Sequence, residues 1–196
     1  MAVALLDEIP LTPSLALGPY RLSDYEALPL EPRCELLAGR FYLTPSPSVL
    51  HQVVAPLLWK ALDGVAGKTG GIALPAPLDV VLADHSVVQP DVIYLAAGRR
   101  GLATERIEAA PDLLVEVLSP GTARRDRGLK LHLYARSGIR EYWIVDPLER
   151  QIEFLVQDGD AFRIELPQGG TYRSRVLPGV HLNVPAFWRS VDRRLG

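Results

Sequence analysis

An α/β (α+β) domain, with helices set among a run of short strands and an all-strand tail at the end, is the fold class this sequence predicts. Three observations carry the prediction. Pro111-Asp112-Leu113-Leu114-Val115-Glu116-Val117-Leu118-Ser119-Pro120 is a short apolar run bounded by prolines, which reads as a strand buried on both faces. Two longer segments, 49–62 and 122–136, carry helical patterning and helix start or stop signals. From Glu141 onward, short strand-like runs alternate with turn residues. Hydrophobic residues make up 48% of the 196, enough for one globular domain to bury a core without staples. The expected organisation is a single domain over 1–196, with an irregular lead-in over 1–20 and a β-rich extension over 150–196.

Taken in order, Pro10, Pro13, Gly18 and Pro19 interrupt any period in the lead-in. Ser23-Asp24-Tyr25-Glu26 has the form of a capping box opening a short helix that closes before Pro29. Cys34 to Leu43 reads as two strands about an Ala38-Gly39 turn, with Glu35 on the first arm. Ser48 caps the helix from Val49 to about Leu62, in which Pro56 predicts a kink or a division into two short helices. Strands follow at about 72–74, 78–82, 92–95 and 113–118, with Asp84-His85-Ser86 as the turn between the second and third. The basic, weakly patterned stretch 96–110 suits an exposed connection that carries substrate contacts. Thr122 caps the next helix, which runs to about Arg136 and stops at Gly138. Steps of four residues advance about 40° around a helix, so Asp126, Lys130 and Tyr134 share one face. Strands at 141–145, 151–156, 162–166 and within 172–184 complete the tail.

Composition excludes several classes. The single cysteine, Cys34, cannot form an internal disulfide, and Met1 to Leu6 is too short for a signal segment. No apolar run approaches membrane-spanning length, so the expected setting is cytoplasmic. The net charge of −2 rules out a whole-protein basic field, and nucleic-acid contact must come from local patches. Two exist, Arg99, Arg100 and Arg106, and Arg124, Arg125, Arg127 and Lys130, and each reads equally as a solvated face. Weak, salt-sensitive contact by a monomer predicts a homodimer that joins two patches through the terminal strands. Arginine dominates the 21 basic residues, and with one Met, one Cys and 17 prolines that bias fits a GC-rich genome or a thermostable chain, although the scarcity of lysine, at positions 60, 68 and 130, speaks against the second and singles out each lysine that remains.

The chemistry starts from Glu116. A carboxylate inside a doubly buried strand costs several kcal/mol unless a partner, hydrogen bonds or a metal compensates. A second acid, Asp91, heads the apolar run Gln89-Pro90-Asp91-Val92-Ile93-Tyr94-Leu95. Mg²⁺ and Mn²⁺ take oxygen ligands and keep several waters, so Asp91, Glu116 and the Val117 carbonyl suffice for a site if the two strands are neighbours. Lys130 then stands ready to stabilise charge developing on a phosphoryl group. The ordinary readings are a turn-capping aspartate, a structural salt bridge at Glu116, a surface ion pair between Asp126 and Lys130, and a core tyrosine at 134. His51 either faces the chemistry or satisfies a carbonyl at the core edge, and with no partner visible the second reading is preferred. There is no Gly-rich phosphate loop, nucleophile elbow or zinc-spaced cysteine pair.

Glu35-Leu36-Leu37-Ala38-Gly39-Arg40, Gln89-Pro90-Asp91, Val115 to Pro120, Asp126-Arg127-Gly128-Leu129-Lys130 with Tyr134, and Gly138-Ile139-Arg140-Glu141-Tyr142-Trp143-Ile144-Val145-Asp146-Pro147 resemble, in this order, the Uma family of the restriction endonuclease-like PD-(D/E)XK superfamily. The resemblance covers about residues 20–184. It implies a mixed β-sheet flanked by helices and Mg²⁺-dependent (or Mn²⁺-dependent) cleavage of DNA. Asp91 matches the proline-aspartate element and Glu116 the acid of the next strand. The superfamily's lysine would fall at position 118, where this chain has Leu118, and the family's replacement on the following helix maps to Lys130. Glu35 matches the family's early glutamate, a further ligand or a residue that orients water. The competing class is a catalytically inactive nucleic-acid or protein binding module on the same fold, and a third reading is a metal-dependent hydrolase of small phosphoesters.

Overall fold

The computed structural model describes residues 17–29 and 31–196, so most of the expected lead-in lies outside the described residues. The chain first forms α1 (Leu22–Glu26) and then β1 (Cys34–Leu37) and β2 (Arg40–Leu43). The helix starts at Arg21 rather than Ser23, because the Asp24 carboxylate accepts the Arg21 N–H at 2.8 Å. The β1–β2 hairpin turns on Ala38 (φ 48°) and Gly39 (φ 75°), both left-handed as a two-residue hairpin loop of this twist requires. A Cβ on Gly39 would stand 2.4 Å from the Gly18 carbonyl oxygen, and this bare turn lets the incoming chain lie against the hairpin.

α2 (Val49–Ala66) runs 18 residues through Pro56 without a break and four residues beyond its expected end. Pro56 is on the exposed side, as is Gln52, so the carbonyl that loses its helical donor lies on a solvent-accessible face. β3 (Ile72–Pro75), β4 (Val80–Ala83), β5 (Ser86–Val88), β6 (Val92–Leu95) and β7 (Leu113–Val117) follow. β5 was not foreseen: only Asp84-His85 turn, and Ser86 already begins a buried strand.

Between β7 and β8 (Glu141–Asp146) lie α3 (Ala123–Arg125), a π-helical turn over Asp126–Lys130, and α4 (Leu131–Arg136). Thr122 does not cap this segment. Its Oγ1 accepts the Ser119 N–H, and the Ser119 carbonyl takes the N–H groups of Thr122 and Ala123. β9 (Gln151–Asp158), β10 (Ala161–Glu165), β11 (Thr171–Arg173) and β12 (His181–Asn183) come next. The tail is not all strand: α5 (Val184–Leu195) ends it, capped by the Asn183 side chain on the Ala186 N–H, with Pro185 in its first turn. Its apolar face, Phe187, Trp188 and Val191, joins α2 in the core.

Six strands make the main sheet in the order β10-β9-β8-β7-β6-β3, and four make a second sheet in the order β2-β1-β5-β4. Within the six-stranded sheet only β7 and β8 pair in parallel, which is why a helical crossover joins them. This sheet is buried on both faces. Val92, Tyr94, Leu113, Val115, Val117, Trp143 and Val145 meet α2 and α5, whereas Ile93, Leu95, Leu114, Tyr142 and Ile144 meet α4 and the smaller sheet. The connection 96–110 is largely exposed, as expected, apart from Ile107. It contains a 3₁₀ segment over Ala97–Leu102, and Ile107 is fully buried with main-chain bonds to Asp79 and Val81 beside β4. Among the described residues, no helix is long and apolar enough to cross a membrane.

Candidate active site

Strand alternation decides where the acids go. In β7, Leu113, Val115 and Val117 point to the α2 side, so Glu116 points to the opposite face with Leu114 and Leu118. In β1, Cys34 and Leu36 pack with Phe41 and Val87, so Glu35 and Leu37 point toward that same face of the main sheet. The π turn carries Asp126 and Lys130 into the space between, and α4 adds Tyr134. A π turn inside a helix widens the backbone and commonly marks a site where side chains must be re-aimed.

Lys130 Nζ lies 2.8 Å from Glu35 Oε1, 2.8 Å from Glu116 Oε1 and 3.4 Å from Asp126 Oδ1. The Tyr134 hydroxyl donates to Glu116 Oε1 at 2.7 Å, and the Gln89 N–H donates to Glu35 Oε1 at 2.8 Å. Arg125 stands 3.7 Å from Glu35 Oε2. All of these charged side chains are at most 6% exposed. Burial works against the ammonium of Lys130, but Glu116, Glu35 and Asp126 outweigh it and hold the pKa above the ordinary lysine value. Burial also raises Glu35, yet Lys130, Arg125 and the Gln89 N–H bring it below the usual carboxylate range. Glu116 goes the other way. Burial, reinforced by the charges of Asp126, Glu35 and Asp91, overrides Lys130 and pushes its carboxyl well above normal. Asp126 is also raised, chiefly by burial.

Asp91 comes up beside this cluster because β6 and β7 are antiparallel neighbours, with Val92 opposite Val115. Its Oδ2 accepts the Val117 N–H at 2.7 Å, and its Oδ1 stands 3.1 Å from His51 Nε2, delivered by the first turn of α2. Burial lowers the His51 pKa, but Asp91 and an acceptor on the Val117 main chain, which is its carbonyl, raise it above the ordinary value. His51 Nδ1 is buried with no hydrogen-bond partner among the described residues. A cavity of about 420 Å³ opens over this array, walled by Glu35, His51, Asp91, Glu116, Asp126 and Lys130.

Three carboxylates, Glu35, Glu116 and Asp126, therefore surround Lys130, with Arg125 beside Glu35, and a fourth, Asp91, pairs with His51 alongside them. The remaining negative charge suits a divalent cation. The hydrogen bonds described for Glu116 all fall on Oε1, which leaves Oε2 for such an ion. Oxygen donors from Asp91, Glu116 and the Val117 carbonyl are what Mg²⁺ or Mn²⁺ accepts with waters filling the other positions. Among the described residues, no group of three His, Cys, Asp or Glu side chains is placed to hold a metal ion by itself. Few protein ligands and several waters is the arrangement these residues fit.

All seven residues singled out from the sequence, Glu35, His51, Asp91, Glu116, Val117, Lys130 and Tyr134, lie together here. His51 does not have the core-edge place preferred for it, since it engages Asp91 at the cavity. Asp126 and Arg125, read as a surface pair partner and a patch residue, are buried members of the site. The i, i+4 spacing of Asp126 and Lys130 was the available signal for the first, and nothing local marked the second. The basic patches are largely neutralised from within. Arg99 pairs with Asp112, Arg106 with Glu26 and Glu108, and Arg127 with Asp146 and Glu153.

Residues 22–185 match the protein family Uma2, whose description reads "Putative restriction endonuclease". The fold is similar to a crystal structure from Anabaena variabilis ATCC 29413 described as a putative nuclease belonging to DUF820. The TM-score is 0.76 at 18% identity, covering 88% of this chain and 99% of that one. No curated protein matches the chain.

Proposed function

The chain belongs to the Uma2 family of restriction endonuclease-like proteins, and from that premise we propose that it is a divalent-metal-dependent endonuclease that hydrolyses DNA phosphodiester bonds. The observation that carries the reading is the buried set of Glu35, Asp91, Glu116 and Asp126 around Lys130 at the floor of an open cavity. Burying so many acids costs free energy, and buried acids with perturbed pKa values in a cleft cluster at functional sites.

Asp91 and Glu116, with the Val117 carbonyl, are the groups that would hold Mg²⁺ or Mn²⁺. When bound, the ion supplies a Lewis acid and a water of lowered pKa. The chain's own groups set the stage for it. The Val117 N–H fixes one oxygen of Asp91, and Tyr134 and Lys130 together fix one oxygen of Glu116. The Lys130 ammonium offsets the negative charge that grows on the phosphoryl oxygens. Glu35 holds Lys130 in place from the opposite side and, being anionic, keeps it protonated. The low net charge supports a further proposal, that two copies act together as a homodimer on DNA, which sedimentation at working concentration tests by returning twice the monomer mass.

The experiment is cleavage of supercoiled plasmid and of single-stranded DNA with Mg²⁺ or Mn²⁺, against chelator and against Glu116→Gln. Cutting that needs the metal and disappears in the variant is the expected result. Metal-independent cutting, or full cutting by the variant, refutes the assignment. No cutting by a folded, metal-binding wild type returns the protein to the binding-module class.

A further inference from the structure

We propose that β10 is the seam between two copies of this chain, its free edge pairing antiparallel with the same edge of a second copy about a two-fold axis at Ile164. The inference rests on the homodimer reading above and supplies the surface that reading needs. β10 is the end strand of the six-stranded sheet, and its pairing with β9 runs from Ala161 to Glu165 without a bulge. Among the described residues no strand pairs with its other side. A regular open edge is a template for another strand, which folded proteins ordinarily interrupt or cover. The hairpin turn fixes which groups that edge offers. Gly159, at φ 60°, and Asp160 make a two-residue turn, so Asp158 and Ala161 close the hairpin as a hydrogen-bonded pair. Alternation then turns the main-chain N–H and C=O of Arg163 and Glu165 toward β9 and those of Phe162 and Ile164 away from it.

The side chains select one register. With the axis at Ile164, Arg163 stands opposite Glu165 of the second copy, Glu165 opposite its Arg163, and Phe162 opposite its Leu166. Moving the axis one residue either way sets Arg163 against Arg163 or Glu165 against Glu165, and like charges directly opposite are destabilising. Arg175 holds the Glu165 carboxylate in place at 2.8 Å, and Arg163 of the same strand lies 3.1 Å from it, so the acid is fixed beside the edge. On the opposite face Phe162 packs against Tyr142, with ring centroids 5.9 Å apart. Ile164 and, just past the strand, Leu166 extend that apolar row but are 57% and 81% exposed. The second copy covers both. Pro167 then ends the seam, since it has no N–H to continue a ladder.

The test is sedimentation of the full chain as wild type, as Arg163→Glu, as Glu165→Lys and as an equimolar mixture of the two variants, with amide exchange of the wild type at low and high concentration. Wild type should sediment at twice the 21.5 kDa of one chain. Each variant alone places like charges at both symmetric contacts, so its dimer should weaken by about tenfold or more. In the mixture each altered residue faces an opposite charge, and association should return. The Phe162 and Ile164 amides of the wild type should become protected as concentration rises. If wild type is a dimer that both variants leave intact, or whose Phe162 and Ile164 amides exchange freely, the seam lies elsewhere and only this assignment fails. If both variants dissociate but their mixture does not re-form a dimer, the two-fold register is wrong. A monomeric wild type at working concentration removes the homodimer reading and this one with it, and leaves the nuclease reading untouched.

Discussion

Replacing Lys130 by Met removes a charge while keeping most of the side-chain volume, at a position only 3% exposed. The ammonium touches Glu35 and Glu116 at 2.8 Å each and Asp126 at 3.4 Å, and among these contacts only Arg125, 3.7 Å from Glu35, remains as a cation. Breaking a buried pair from one side costs about 3–5 kcal/mol, because the partner charge stays buried. For a chain of this length, about 2–4 °C of melting temperature follows each kcal/mol, so a fall of about 10 °C is expected at neutral pH in chelator. The deficit should also depend on pH with a definite sign. Without Lys130 the folded-state pKa of Glu35 rises and that of Glu116, already raised, rises further, so the folded variant binds more protons than the wild type and loses stability as pH rises. In the wild type Glu35 is depressed and contributes stability above the unfolded carboxylate value. The gap between the two proteins must therefore widen from about pH 4.5 to pH 8, near and above the ordinary glutamate pKa. Thermal melts across that range measure it. A shift below about 2 °C, or one constant with pH, would refute the claim that Lys130 is the central counter-charge of this cluster.

Three further outcomes follow from other parts of the fold. Asp112→Ala strands the Ala96 N–H, now bound at 2.7 Å, and releases Arg99 and Arg140, for a cost of about 2 kcal/mol in denaturant melts. Burial raises the Asp112 pKa, but the Ala96 N–H and the two arginines hold it below the usual value, so its contribution is complete above about pH 4 and disappears as pH falls through the folded value. Acid titration should show the variant and wild type converging there. Glu141→Leu leaves the Trp143 and Tyr172 side chains, the Ser174 hydroxyl and the N–H groups of Arg175 and Val176 without their acceptor, and amide exchange should accelerate over residues 172–177 first. Gly39→Ala puts a Cβ 2.4 Å from the Gly18 carbonyl at a left-handed φ, and a loss of about 1–2 kcal/mol or more is expected by equilibrium unfolding.

The mixed architecture, the hairpin at Ala38-Gly39 and the burial of β7 were legible because alternation, turn chemistry and bounding prolines act locally. Glu116 and Lys130 stood out as candidates, since an acid inside an apolar strand and a rare lysine are conspicuous without coordinates, whereas Glu35 was singled out by the family resemblance and His51 was expected at the core edge. α5 was not legible as a helix because Pro185 and a β-prone opening precede its apolar face, and that face becomes helical only against α2. Pro56 misled for a related reason: the bond it removes lies on the solvent-exposed side of α2, outside the packed core. β5 was too short to stand out from its turn. The partners of Glu35, namely Lys130, Arg125 and the Gln89 N–H, come from three distant segments, and nothing in the sequence ties them to it. The same holds for His51 and Asp91, joined only when α2 lies across the sheet.

The most direct measurement compares wild type with Asp91→Asn in two assays on one DNA substrate, cleavage in Mg²⁺ or Mn²⁺ and gel-shift binding in chelator. The account predicts that the variant binds DNA as the wild type does and loses cleavage by about a hundredfold or more, as removal of a metal ligand at the reacting centre should. Cleavage by Asp91→Asn at the wild-type rate would contradict it.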